Sequence, residues 1–245
     1  MSLSAALGFT FRTKPPLTPF NSGKSSALLL LLRLLDPLPS TSQNITIDSI
    51  PLHKIDRATL RQRIIAVPQD AVFLPDGTSI KTNLDPFGVA SDDECLEVIR
   101  AVELMGFVED RGGLEAGLTA DTLSAGQKQL FSLARAILRR RIRDGGDEAA
   151  AGEKTAKRPR GGILLLDEVS SSVDQDTDRA MQAVIHREFE GYTVVMISHR
   201  LAMVMDFDSV VVMDKGRVVE SGPPRTLVET EGSRFKELWM VQNKE

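Results

Sequence analysis

Several short strings in the chain combine glycine, serine, lysine and acidic residues in ways that suit phosphate chemistry. Gly23-Lys24-Ser25 precede a run of leucines, which is the pattern of a phosphate-binding loop that passes into its helix. In such a loop the lysine is a point charge for phosphate oxygens and the serine hydroxyl binds a metal ion. The string alone is a weak signal, because short strings of these residues also occur in loops by chance.

An acidic pair follows a buried strand. The string GILLLDE (162–168) puts Asp167 and Glu168 at the end of an apolar run, where carboxylates are costly unless they meet a cation or hydrogen-bond donors. In phosphoryl-transfer enzymes such an aspartate holds Mg²⁺, and a neighbouring carboxylate polarises the attacking water. Taken alone, the pair fits equally well as two solvated carboxylates at a strand end.

A third string, LSAGQKQ (123–129), places Ser124 and Gly126 just before an amphipathic helix. Backbone amides and a hydroxyl at a helix start suit a phosphate group. A plain helix cap with a glycine hinge is the alternative. The order of this string among the others decides between the two interpretations.

The elements around these strings alternate between strand and helix. Short apolar runs predict strands in RIIAVPQD (63–70), GILLLDE and TVVMISH (193–199), and ITIDSIPL (45–52) predicts a further short strand. SVVVMDKGRVVESG (209–222) predicts a hairpin, and SRFKELWMVQ (233–242) a closing helix. We therefore expect an α/β fold with a mainly parallel sheet and an inserted helical lobe near 91–122.

Two segments have their own signals. Ser91 and Glu94 form a capping-box pattern at the start of the helical lobe. Residues 142–162 lose all periodicity and mix glycine, alanine and charges, which predicts a disordered insertion. A basic binding arm is the alternative for the same segment.

Composition excludes several classes of protein. The 245 residues are 42% hydrophobic, enough for a proper core, and the net charge of -4 gives no support for nucleic-acid binding. The single cysteine, Cys95, excludes an internal disulfide and is expected to be a buried small hydrophobe. No apolar run reaches the ~18 residues of a membrane span, and the start lacks the basic region of a signal peptide.

Read in chain order, the strings are SGKSS, VPQD, LSAGQ, LLLDE, SSVD and ISH. In this order the chain, over about residues 21–242, resembles the nucleotide-binding domain of ABC transporters. Three longer strings are similar to the second such domain of multidrug-resistance-associated (C-subfamily) exporters, especially fungal ones: RIIAVPQDAVFLPDGTSIKTNLDPFG, GQKQLFSLARAILRR and VMDFDSVVVMDKGRVVESG. The resemblance implies a P-loop NTPase fold, with a mainly parallel sheet flanked by helices and an inserted helical subdomain at about 78–138.

The resemblance also implies ATP and Mg²⁺ as ligands. The nucleotide would be bound by the end of the phosphate loop, which comprises Ser22, Gly23, Lys24, Ser25 and Ser26. The metal would be bound by Ser25, Gln69 and Asp167. Glu168 would orient and deprotonate the attacking water, Gln69 would touch both metal and water, and His199 would contact the γ-phosphate. Glu168, rather than an aspartate, implies the hydrolysing half of an asymmetric pair.

Other residues are expected to serve a nucleotide held mainly by a partner. In this family ATP lies between two domains, and the signature of one faces the phosphates of the other. The residues concerned here are Ser124, Gly126, Gln127 and Asp174. The implied partners are therefore a second nucleotide-binding domain and transmembrane domains, with membrane association only through them, at the cytoplasmic face of a plasma or vacuolar membrane. We expect the isolated chain to be soluble and to hydrolyse ATP poorly.

The chain departs from the family before Ser22. The family loop has glycine where this chain has Thr18 and Asn21, and Pro19 removes an amide donor. A threonine with left-handed backbone angles would cost about 1–2 kcal/mol. The phosphate end of the loop therefore looks intact, whereas the approach to it does not.

More is missing upstream. Residues 1–21 are expected to be a segment foreign to the family, ahead of the ATPase domain at 22–245. They leave the antiparallel β-layer incomplete and supply neither the strand that leads into the loop nor the aromatic residue that stacks on adenine. Phe9, Phe11 or Phe20 are candidates for that stacking, and the only tyrosine is Tyr192. A truncated or misjoined gene model would explain these losses together.

Two rival functions are open at this point. One is a degenerate domain that docks its signature on a partner without hydrolysing ATP. The other is a soluble ABC ATPase of the DNA-repair or translation kind, which lacks support because neither paired cassettes nor long coiled-coil arms are visible. Of the remaining histidines, His53 and His186 have no such context and are expected at the surface.

Overall fold

The computed structural model describes residues 6–11, 24–37, 45–150, 161–169, 173–214 and 216–243, with backbone alone for 6–11, 24–25 and 146–150. The described residues form eight strands: β1 (Ala6–Phe11), β2 (Thr46–Ile47), β3 (Ile50–Pro51), β4 (Ile64–Val67), β5 (Ile163–Asp167), β6 (Thr193–Ser198), β7 (Ser209–Asp214) and β8 (Arg217–Gly222). The helices are α1 (Lys24–Leu31), α2 (Arg57–Arg63), α3 (Ile80–Leu84), α4 (Asp92–Ala101), α5 (Met105–Glu109), α6 (Ala125–Ala150), α7 (Gln175–Glu188), α8 (Pro224–Glu229) and α9 (Arg234–Gln242). Short 3₁₀ turns cover Leu52–Lys54, Ala120–Thr122 and Leu201–Val204.

Six strands form one sheet in the order β4-β5-β6-β1-β7-β8, and β2 pairs with β3 in a separate small hairpin. Strand β1 runs parallel to both β6 and β7, whereas β7 and β8 form the antiparallel hairpin that the sequence predicts. Along the described parts of the chain, no helix combines the length and the hydrophobicity that crossing a bilayer requires.

The chain divides into two compact units. The first unit takes its described residues from 66–161 and 166–192, and the second from 3–65, 162–165 and 193–245. In the first unit α3, α4 and α7 pack on α6, which buries Phe131, Leu133, Ala134, Ile137 and Leu138. The capping box predicted at the start of α4 is confirmed, since Ser91 and Glu94 bond each other's backbone N–H groups.

The second unit has two apolar clusters. One joins α1 and α2 to the strands through Leu28, Leu60, Leu165, Val195 and Ile197. The other joins β7 to α8 and α9 through Val210, Leu227 and Phe235. These clusters set the positions of α1 and α9, the first and last helices of the described chain.

Strand β1 differs from expectation. Residues 1–21 were expected to supply no strand ahead of the phosphate loop, yet Ala6–Phe11 lie in the sheet, with Gly8 opposite Met196 on one side and Val210 on the other. The physical reason is that the edges of two parallel strands leave a row of unpaired backbone groups, and any short apolar segment of β-prone residues can satisfy them.

Residues 142–150 also differ from expectation, because α6 continues to Ala150 where the sequence predicted disorder. Tertiary contacts that composition does not reveal hold the start of this extension. Arg140 and Arg141 donate to the Glu188 carboxylate at 2.9 and 3.1 Å, and the Tyr192 hydroxyl donates to Asp144 at 3.4 Å. Residues 151–160 of the predicted insertion lie outside the described residues.

Candidate functional site

The phosphate-loop residues belong to the second unit. Helix α1 begins at Lys24, and Ser26 in its first turn is exposed. Ser22, Gly23 and the upstream departures at 18, 19 and 21 lie outside the described residues. Strand β1 runs parallel to β6 with Thr10 opposite Ser198, so the two strands end at the same edge of the sheet.

His199 is half-buried directly after β6. The loop that carries it is held locally by Ser198, whose hydroxyl accepts from the Arg200 N–H at 2.9 Å and donates to the Arg200 carbonyl at 3.0 Å. The second unit thus places His199 at the edge of the sheet where β1, the strand that precedes the phosphate-loop residues in the chain, also ends. Such carboxyl edges of parallel strands are where α/β folds bind ligands.

Gln69 lies in the first unit, exposed, two residues after β4. Its backbone carbonyl accepts a hydrogen bond from Nε2 of Gln129 on α6 at 2.5 Å. The loop that follows is held by Arg135, whose guanidinium donates to the carbonyls of Val72 and Asn83. The predicted water-sensing glutamine therefore sits in a loop whose backbone carbonyls accept hydrogen bonds from side chains of α6.

Arg135 is a charged residue that packs between two aromatic rings. Burial lowers the pKa of its guanidinium to about 10, and its charged carbon lies 5.1 Å from the Phe73 ring and 5.2 Å from the Phe131 ring. Sequence reasoning missed both Gln129 and Arg135. A signal was present only for Arg135, which is the one polar residue within 133–138.

Asp167 and Glu168 end β5 as predicted, and both are half-buried. Glu168 has a left-handed backbone with φ of 48°. For a residue with a long side chain this conformation costs about 1–2 kcal/mol and is typical of functional sites. The strain at Glu168 is a feature that no sequence pattern indicated.

The signature string starts α6 through a capping box. The Ser124 hydroxyl accepts from the Gln127 N–H at 3.1 Å, and the Gln127 side chain accepts from the Ser124 N–H at 2.9 Å. Within this chain, the side chains of both residues are thus engaged in beginning the helix. Ser124 is nevertheless exposed, as a contact to an external group requires.

Gly126 and Asp174 meet in the first unit through Thr177. A Cβ at Gly126 would lie 3.1 Å from the Thr177 methyl, so this glycine permits the start of α6 to approach α7 closely. Asp174 caps α7: one carboxylate oxygen accepts from the N–H groups of Asp176 and Thr177, and the other from the Thr177 hydroxyl. The hydrogen bonds from Thr177 hold the pKa of this carboxyl below its usual range.

The remaining candidates lie where their residue types suggest. His53 and His186 are exposed, as predicted. Cys95 is buried, and burial raises the pKa of its thiol to about 11, so it is a structural thiol. Tyr192 is 2% exposed and packs against Phe189, which removes it from consideration for adenine stacking. Phe9 and Phe11 belong to β1, and Phe20 lies outside the described residues.

The donor atoms fit Mg²⁺ that arrives with a nucleotide. Among the described residues, no three His, Cys, Asp or Glu side chains lie close enough together to hold a metal ion by themselves. The predicted ligands offer a carboxylate from Asp167, a hydroxyl from Ser25 and an amide oxygen from Gln69. Mg²⁺ prefers such oxygen ligands and usually takes one or two carboxylates together with substrate phosphates.

Comparison with known proteins identifies the fold. A solved bacterial Atm1-family ABC exporter with ATP bound matches with a TM-score of 0.77 at 24% identity, over 99% of this chain and 38% of that one. The ABC transporter family model matches residues 21–142. The architecture is accordingly the P-loop ATPase fold of ABC proteins, as the sequence predicted.

Curated relatives extend the match. The ABC transporter FGM5 of Gibberella zeae is 59% identical over 224 residues, which is 91% of this chain and 14% of that protein. The ABC-type transporter braE of Annulohypoxylon truncatum is 58% identical over 90% of this chain and 14% of that protein. ABC multidrug transporter B of Aspergillus fumigatus is 39% identical over 89% of this chain and 13% of that protein. The chain belongs to the ABC transporter family, as a nucleotide-binding domain, and spans only a small part of the length of these relatives.

Proposed function

We propose that this chain binds and hydrolyses Mg-ATP as the second nucleotide-binding domain of a C-subfamily, multidrug-resistance-associated type of exporter. The observation that carries the proposal is the shared edge of β1 and β6. There β1, which precedes the Lys24 helix in the chain, and β6, which His199 follows, end side by side. P-loop proteins bind phosphates with a strand, a loop and a helix that follow one another in this order in the chain.

In the proposed reaction each residue has one task. Lys24 pairs with the β- and γ-phosphates, and backbone N–H groups at the start of α1 donate hydrogen bonds to the phosphate oxygens. Ser25, Asp167 and Gln69 are the residues that would hold Mg²⁺, which supplies charge neutralisation at the phosphates when bound. Glu168 orients the attacking water and takes its proton, a contribution of about 10²–10⁴-fold in rate. His199 donates to the γ-phosphate as charge develops on it.

The signature residues would act on a nucleotide bound by a partner domain. Exposed Ser124 and the open start of α6 suit a phosphate from outside the chain. Asp174 already satisfies its carboxylate within α7, so we assign it the task of holding that helix start beside Gly126. Transmembrane partners and the cytoplasmic face of a membrane belong to the same proposal, supported by relatives that are named transporters.

Assignment to the C-subfamily rests on the three long strings quoted above and on relatives from fungi. Assignment to the second of two domains rests on Glu168, because the carboxylate that takes the proton is present. The substrate carried across the membrane is a property of other parts of such exporters.

The deciding experiment is binding of labelled Mg-ATP to the purified chain. We expect Lys24→Ala to weaken binding by at least about tenfold, because it removes the charge that pairs with the phosphates. Lys54→Ala, an exposed lysine of the same unit, is the matched control and should bind as the native chain does. Equally poor binding by the native chain and Lys24→Ala would overturn the catalytic proposal and favour a domain that only docks its signature on a partner.

Hydrolysis is tested separately with Glu168→Gln. This variant should retain ATP binding and lose turnover by about 10²–10⁴-fold. Turnover close to that of the native chain would exclude Glu168 as the base.

A further inference from the structure

The loop that carries His199 is bound by a side chain from the last helix. Nε2 of Gln242 donates to the His199 carbonyl at 2.6 Å, and Oε1 of the same amide accepts from the Leu201 N–H at 2.7 Å. One amide therefore holds the backbone on both sides of Arg200. Such a two-way contact requires a side chain that donates and accepts at once, which a neutral amide does.

Helix α9, which ends at Gln242, is itself held at its start. Ser233 caps it by accepting from the Lys236 N–H at 3.1 Å. The Glu220 carboxylate on β8 accepts from the Phe235 N–H at 2.9 Å and from the Ser233 hydroxyl at 3.1 Å. The start of α9 thus has a fixed position on the sheet.

The face of α9 that leads to Gln242 is buried in the apolar cluster of β7 and α8. Phe235 is fully buried there, and Leu238 and Trp239 pack against the same cluster. Gln242 follows Phe235 by seven residues, which is two helical turns and therefore the same face. Leu201, next to the bonded loop, belongs to the cluster as well, so α9 and the loop share one rigid base.

We infer that Gln242 is a positioning residue for His199. By fixing the backbone at His199 and Leu201, its amide sets the direction in which the imidazole leaves the end of β6. The inference rests on the proposed function in one respect, namely that His199 contacts the γ-phosphate. The placement of the ring can be tested without that assumption.

The first test measures the His199 ring. The chain contains three histidines, so the ring carbons can be resolved by ¹³C NMR and His199 assigned with a His199→Ala variant. In Gln242→Met, which keeps the length and loses both hydrogen bonds, ¹³C relaxation should show a more mobile His199 ring, with His53 and His186 unchanged. Gln242→Glu keeps the acceptor for Leu201 but places a carboxylate oxygen where the donor to the His199 carbonyl was, so the His199 ring should be at least as mobile as in Gln242→Met.

Asn243 provides the matched control. Its side-chain amide donates to the Trp239 carbonyl at 3.0 Å, within its own helix, so Asn243→Ala disturbs the end of α9 without touching the loop. His199 relaxation should match the native chain in this variant. A native His199 ring in Gln242→Met, or equal mobility in Asn243→Ala, would overturn the inference.

The second test uses ATP turnover. Gln242→Met should lower kcat by about tenfold and leave KM within about twofold, because a misplaced histidine affects the transition state more than ground-state binding. In a His199→Ala background the same substitution should have no further effect on kcat. An undiminished effect in that background would show that Gln242 acts elsewhere and would overturn the inference. Absence of turnover in the native chain would count against the proposed function, while the ring measurement still decides the role of Gln242.

Discussion

Two loops, one in each unit, carry residues assigned to the γ-phosphate and the attacking water, and the fold holds them in the same manner. In both, a glutamine side chain donates to the backbone carbonyl of the functional residue: Gln129 to Gln69 at 2.5 Å, and Gln242 to His199 at 2.6 Å. The two differ in burial. Gln129 is 7% exposed, whereas the side chain of Gln242 is exposed to solvent.

Because of this difference in burial, we expect mutations at the two loops to affect different properties of the protein. The Gln69 loop is also held by the half-buried guanidinium of Arg135, and removal of such partners leaves carbonyls unpaired at a cost in folding free energy. At the His199 loop, water can replace a lost hydrogen bond, so the free energy of unfolding should change little there while the direction of the loop is lost. Mutations at the first loop should therefore act mainly on stability, and mutations at the second mainly on turnover.

The largest effect on stability is expected from Arg135→Leu. The substitution removes donors to the carbonyls of Val72 and Asn83 and contacts with two aromatic rings. We expect the free energy of unfolding to fall by about 2–3 kcal/mol, measured by urea denaturation. Arg135→Lys should not restore it, because a lysine lacks the planar fork that reaches both carbonyls.

Arg139, on the exposed side of the same helix, is the matched control for Arg135. Arg139→Leu should change the free energy of unfolding by less than about 0.5 kcal/mol. A similar loss from both substitutions would mean that charge on α6, rather than the bonds to the loop, accounts for the effect.

A smaller loss is expected from Gln129→Met. The substitution removes the bond to Gln69, but it also removes Oε1, a buried acceptor with no hydrogen-bond partner among the residues that the structure describes. These two changes oppose each other, so we expect a net loss below about 1 kcal/mol in urea denaturation. A loss as large as that of Arg135→Leu would show that the glutamine, and not the arginine, is the main support of the loop.

The smallest effect on stability is expected from protonation of Asp174 at low pH. The folded chain holds the pKa of Asp174 below its usual range, chiefly through the Thr177 N–H. Its contribution to stability is therefore fully present above the unfolded pKa of about 4 and is lost as the pH falls below it. The difference in melting temperature between the native chain and Asp174→Asn should accordingly shrink as the pH is lowered from about 6 to about 3.

Asp176 lies in the same turn and carries the same charge, and it supplies the control for Asp174. Asp176→Asn should show no comparable dependence on pH in the same melts. Parallel curves for both variants would attribute the effect to net charge instead of the cap. No effect of this kind is expected at the His199 loop, where the bonding group is an amide that does not titrate.

Features governed by neighbours in sequence were predictable. The Ser91 and Glu94 capping box, the β7-β8 hairpin and the strands before Glu168 and His199 are confirmed, because each depends on residues a few positions apart. One local prediction was wrong. The segment 45–52, predicted as one strand, is a hairpin, since Asp48 and Ser49 both adopt left-handed backbone angles that turn the chain.

Features governed by distant partners were not predictable. Helix α6 continues beyond residue 141, where the sequence predicted its end. Glu188 accepts hydrogen bonds from its arginines, and the Tyr192 hydroxyl donates to its Asp144. Nor does any local pattern relate Gln129 to Gln69, which are 60 positions apart, or Gln242 to His199, which are 43 apart. Such pairs form only when helices pack, and packing depends on the whole apolar pattern rather than on a motif.

The sequence by itself determined the family, the α/β class and the kinds of residue available to bind a phosphate, because the order of six short motifs and the period of apolar residues are properties of the chain. The tertiary structure alone decided how those residues are held. It set Ala6–Phe11 into the sheet beside β6, gave Glu168 its left-handed backbone, and bound the loops of Gln69 and His199 to glutamines on distant helices. The physical reason is that a backbone carbonyl in a loop must find a donor in space, and its nearest donor in space need not be near it in the sequence.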